Sequence, residues 1–111
     1  MATSQATVDY ILDQLVNVPL ISARKMFGEY ALYVGSKVVA LVCDDILFVK
    51  RTEPGLLFVG DLYSEGFAYN GAKASMVIEE ALIENRAWLS ELVTITAEFL
   101  PLPKKKSLKK K

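Results

Sequence analysis

The chain has 111 residues, 52% of them hydrophobic and 23% charged, with 13 Lys+Arg against 13 Asp+Glu and no histidine. This composition fits one packed domain and argues against disorder, while the missing histidine excludes Ser/His/Asp or Cys/His catalysis and His-ligated zinc built from this chain alone. The charge balance hides an asymmetry: six of the thirteen cations are lysines after Pro103, leaving residues 1–103 with seven basic against thirteen acidic side chains, net −6.

Met1 to Thr7 is small and polar, without the basic start and apolar run of a secretory leader. The longest apolar run, Val38 to Cys43, is too short to span a bilayer. A single cysteine, Cys43, permits no internal disulfide and fits a reducing compartment, so a cytoplasmic protein without a membrane span is expected.

Thr7 is placed to cap a first helix, with Asp9 in its first turn. Val8, Ile11, Leu12 and Leu15 follow at i, i+3, i+4 and i+7, and Pro19 ends the element near Asn17. Met26 to Val34 then alternates as one strand, with Tyr30, Leu32 and Val34 on one side and Phe27 and Tyr33 on the other. Gly35-Ser36 suits a two-residue turn, and Val38 to Cys43, apolar on both faces, reads as a central strand. Asp44-Asp45 marks the next turn and Ile46 to Val49 a third strand, completing an antiparallel meander.

Thr52-Glu53-Pro54 is a helix start, running to about Phe58, and Gly60 to Gly66 reads as loop. Residues 67–83 carry two conflicting signals. Ala74, Val77, Ile78, Ala81 and Leu82 fit a helical stripe, whereas Asn70-Gly71 is a strong hairpin turn. Asn85 caps a last helix with Trp88, Leu92, Ile95 and Phe99 in one row and Leu89, Val93 and Leu100 in the next, stopped by Pro101. So wide an apolar face is expected to be buried on two sides, in the core and against a second copy through Trp88, Leu92, Ile95 and Phe99.

The run Arg24-Lys25-Met26-Phe27-Gly28-Glu29-Tyr30-Ala31-Leu32-Tyr33, then Lys37 to Asp45 and Leu47-Phe48-Val49-Lys50, resembles the N-terminal domain of the TfoX/Sxy family. The likeness extends through Tyr69-Asn70-Gly71-Ala72-Lys73, where related chains usually carry proline in place of Asn70, and Trp88 to Leu92, to the lysine-rich end. It implies an α+β fold, a single antiparallel sheet with packed helices in the order α-β-β-β-α-β-β-α. It also favours a hairpin with strands near 67–70 and 73–78. Two-domain members of the family regulate natural competence together with the cyclic-AMP receptor protein; this chain matches the first domain, expected over residues 1–103 and followed by a disordered lysine-rich tail at 104–111.

Arg24, Lys25, Met26, Phe27 and Gly28 are the most family-typical segment and the candidate binding site. Read as a strand entry, they put Met26 and Phe27 in the core and Gly28 under a crossing helix, while Arg24 and Lys25 are free to touch an anion or a partner. Cys43 beside Asp44 and Asp45 is expected to be a buried thiol, because neighbouring carboxylates raise a thiol pKa. Asp44-Asp45 is read as a turn, not a cation site, and Glu79, Glu80, Glu84 and Glu91 as solvated charges. No catalytic residue, metal ligand or cofactor is assigned.

Lys104, Lys105, Lys106, Lys109, Lys110 and Lys111 could contact nucleic acid or an acidic partner, with Arg24, Lys25, Lys50 and Arg51 as further contacts, but carry no aromatic on which a base could stack. The leading expectation is a non-enzymatic interaction module whose partner is a protein, a transcription factor in the family's setting, met through the sheet or the last helix. A nucleic-acid accessory protein using the tail is the alternative.

Overall fold

A computed structural model of the chain describes residues 3–101, a single α+β body with one antiparallel sheet. Helix α1 (Gln5–Gln14) leads into strands β1 (Ile21–Met26), β2 (Glu29–Val34), β3 (Lys37–Cys43) and β4 (Ile46–Val49). Helix α2 (Glu53–Val59) and one 3₁₀ turn (Gly60–Leu62) follow. Strands β5 (Glu65–Gly66) and β6 (Ser75–Ile78) complete the sheet before helices α3 (Glu80–Ile83) and α4 (Arg86–Phe99). The strand order is β1-β2-β3-β4-β6-β5.

Each helix start has a local cause. Ser4, not Thr7, caps α1, accepting a hydrogen bond from the Thr7 N–H at 3.2 Å. Thr52 caps α2 through the Gly55 N–H, with proline in the first turn, and the Asn85 side chain caps α4 through the Trp88 N–H. Successive side chains of a strand point to opposite faces of the sheet. Tyr30, Leu32, Val42, Leu47, Val49 and Met76 join Val8, Ile11, Leu15, Leu89, Leu92 and Val93 of the helices in one buried cluster. A bulge in β3, between the Leu32–Ala40 and Tyr33–Val38 pairs, admits Val39 as an extra, fully buried residue.

Three expectations are corrected. Met26 to Val34 is not one strand: β1 and β2 pair as a hairpin that turns at Phe27-Gly28, where φ is +52° and +83°. The turn demands left-handed backbone at both centres, which explains Gly28 without a crossing helix. Residues 67–70 are not a strand. Asn70-Gly71 does turn, with the Ala72 N–H donating to the Tyr69 carbonyl at 3.0 Å, but inside a long connection; the strand paired with β6 is Glu65–Gly66, expected as loop. The two signals over residues 73–83 divide along the chain, Ser75–Ile78 as strand and Glu80–Ile83 as helix.

Candidate functional site

The β1–β2 hairpin carries the family-typical residues to one end of the sheet. Phe27 is fully exposed and Met26 is 42% exposed, so the expectation that both enter the core is corrected: the turn reverses the chain before either ring or thioether can reach it. Arg24 lies on the face opposite the helices, its guanidinium 5.6 Å from the Tyr33 ring centroid, a cation–π contact. Lys25 is exposed. Gly28 accepts a backbone hydrogen bond from Thr3 at 3.1 Å, which ties the turn to the start of α1.

Carboxylates brace this end from beneath. The Glu29 carboxylate accepts from the Thr3 hydroxyl and from the Asp44 N–H, and both bonds hold it below the usual carboxylate range. Asp44 and Asp45 occupy left-handed backbone at φ +56° and +63°, the two centres of the β3–β4 turn. The Asp45 carboxylate accepts from the Ser4 N–H and the Thr7 hydroxyl, each at 2.9 Å, and these bonds lower its pKa. Both aspartates are thus turn residues, and among the described residues no group of three or more His, Cys, Asp or Glu could hold a metal ion. Cys43 is buried, and burial, then Glu29 and Asp44, push its thiol pKa up, against any nucleophilic role.

The four body cations grouped as nucleic-acid contacts do not form one surface. Arg24 and Lys25 ride on the edge strand β1, whereas Lys50 and Arg51 follow β4, three strands away, roughly 14 Å at the usual strand spacing. Lys104, Lys105, Lys106, Lys109, Lys110 and Lys111 lie outside the described residues.

The row expected to meet a second copy is divided between the core and the surface. Leu92 is fully buried, Trp88 packs against Phe58 of α2 as a tilted ring pair with centroids 5.6 Å apart, and Phe99 remains 59% exposed. The apolar face of α4 is wide because α2 covers one flank of the helix and the sheet another.

A second feature was missed in the sequence. Beyond the end of β4 opens a cavity of about 830 Å³, lined by Leu41 and Phe48 of the sheet and by residues of the 68–75 segment. Lys50, Arg51 and Lys73 line it. Only the return of the 67–74 connection brings Lys73 to the cavity that Lys50 lines, and no spacing along the chain announces that meeting.

Comparison with known proteins places the whole assembly. Residues 13–100 match the family model of the TfoX N-terminal domain. A protein of Spirochaeta aurantia, described as an uncharacterized 12.7 kDa protein in the trpE 5′ region, is 35% identical over 111 residues, which are 100% of this chain and 95% of that protein.

Proposed function

From the premise that this chain belongs to the TfoX N-terminal domain family, we propose that it is a non-enzymatic regulatory module that docks through the β1–β2 hairpin on a protein of the transcription machinery. The observation that supports this reading is Phe27. A non-glycine residue in left-handed backbone costs roughly 1–2 kcal/mol, and an aromatic at the first centre of this turn stands where asparagine or glycine is favoured. Its ring recovers none of that cost by burial, being fully exposed. A residue that weakens the fold and stays in solvent fits an anchor for a partner's pocket, and aromatic side chains dominate such anchors.

The experiment replaces Phe27 by a photo-crosslinking phenylalanine and, separately, by serine, in the native host. Crosslinking from position 27 is expected to yield one discrete adduct with a transcription factor or polymerase subunit. Phe27→Ser is expected to reduce, at equal folded protein level, the transcript changes that the wild-type chain produces. Transcript changes identical for wild type and Phe27→Ser, or no discrete adduct, would overturn the reading.

A further inference from the structure

We propose that the cavity beyond β4 is a binding site for a small organic anion with a flat apolar body. Its volume of about 830 Å³ lies in the range of small-molecule sites, which are mostly apolar with a few placed polar groups. Phe48, Tyr69, Leu41, Leu56 and Leu100 supply the aromatic and aliphatic part of its lining. That is the surface a ring system stacks against.

The charge distribution specifies the other half of the ligand. Residues 3–101 carry seven basic and thirteen acidic side chains, and three of the seven, Lys50, Arg51 and Lys73, line this cavity against the single carboxylate of Glu53. A net-positive concavity on an acidic body focuses potential on anions and repels cations. Arg51 is already engaged, donating to the Tyr63 hydroxyl at 3.3 Å and lying 3.8 Å from Glu65. Among the described residues the ion pairs are Arg51–Glu65 and Arg86–Asp13, so Lys50 and Lys73 keep their charge for a ligand. Two flexible ammonium groups accept either a carboxylate or a phosphate, and both belong to the class named here.

Phe27 is not among the lining residues, so this site stands or falls apart from the hairpin. The test titrates the isotope-labelled full chain with naphthyl phosphate, naphthoate and the uncharged naphthylmethanol, following amide shifts by NMR. The expected result is saturable shifts centred on residues 50–53 and 68–75 with one or both anions, and binding of the alcohol weaker by about tenfold or more. Phosphate alone, carboxylate alone or both would each assign the anionic group. The double variants Lys50→Glu/Lys73→Glu and Lys50→Gln/Lys73→Gln alter exposed side chains, and both are expected to lose anion binding while keeping the wild-type spectrum elsewhere. Equal binding of alcohol and anions, shifts centred elsewhere, no saturable binding, or anion affinity unchanged in either double variant would overturn the proposal.

Discussion

Asp45 of the β3–β4 turn accepts a hydrogen bond from the Thr7 hydroxyl of helix α1 across 38 positions of sequence, at 2.9 Å. The same carboxylate oxygen accepts from the Ser4 N–H. The turn is therefore part of the helix cap, and the acidic pair Asp44-Asp45 serves to join two elements.

Acid should loosen this joint. The folded-state pKa values of Asp45 and Glu29 are both lowered by the bonds they accept, so the unfolded chain takes up protons more readily than the folded one. Their stabilisation is fully present above the unfolded carboxylate range, near pH 4, and is lost as pH falls through the lower folded values. The thermal midpoint is expected to be flat near neutrality on their account and to fall below about pH 4. Asp45→Asn keeps an acceptor oxygen and tolerates left-handed backbone, so it should flatten the acid limb. Unfolding curves across pH for the two proteins check this, and an acid limb of unchanged slope would remove Asp45 from it.

Phe27→Asn should raise stability. Asn-Gly is the favoured pair for a turn with left-handed backbone at both centres, and Phe27 contributes no burial that the change could forfeit. A gain of about 1 kcal/mol is expected, which in a domain of this size lifts the thermal midpoint by about 4–8 °C. The same change should reduce the transcript changes that the wild-type chain produces, separating stability from function. A lowered midpoint would show that Phe27 supports the fold.

How much of this was legible follows from where each signal resides. Asn85, Thr52-Glu53-Pro54 and Asp44-Asp45 were readable because a cap or a tight turn is settled within four residues. Strand β1 was not, because Ile21–Met26 is an edge strand whose face away from the core carries Ser22, Arg24 and Met26, and so lacks the apolar density of a central strand. Its turn was disguised by a phenylalanine where asparagine is usual. Asn70-Gly71 misled in the opposite sense: the turn forms, but Glu65–Gly66, not its immediate neighbours, pairs with β6. The cationic cavity depends on that long connection, which carries Lys73 to the end of β4.

Gln14 of α1 is a buried polar side chain that ties this helix to the junction of α3 and α4. Its amide nitrogen donates to the Ile83 carbonyl at 2.9 Å and the Glu84 carbonyl at 3.1 Å, while its oxygen accepts from Arg86. Gln14→Leu leaves the buried Ile83 carbonyl without its partner, an expected cost of about 1–3 kcal/mol. A urea midpoint unchanged from wild type would show that water replaces the amide.

Gly66 is held by close approach. A Cβ built there would lie 2.3 Å from Val77 Cγ2 and 3.2 Å from Phe48 Cε2, and a β-branched neighbour has little freedom to withdraw. Gly66→Ala should destabilise by about 1–3 kcal/mol and disturb the β5–β6 pairing. Amide exchange at residues 75–78 reports that pairing directly, and protection equal to wild type would place the adjustment in side chains alone.

The two ends of the α4 row should behave differently. Leu92 is enclosed by its own chain near Gly55, so Leu92→Ala removes core contacts and should cost about 2–5 kcal/mol. Phe99 projects from the last turn at 59% exposure, and Phe99→Ser should change stability by no more than about 0.5 kcal/mol. Protein concentration separates an internal role from contact with a second copy, because a subunit interface adds stability by mass action while a core does not. Thermal midpoints measured at low and high concentration are expected to coincide for the wild type and for both variants. A wild-type midpoint that rises with concentration and a Phe99→Ser midpoint that does not would instead assign Phe99 to a contact between copies. In that event the dimer face is the exposed end of the row, Phe99, and not Leu92.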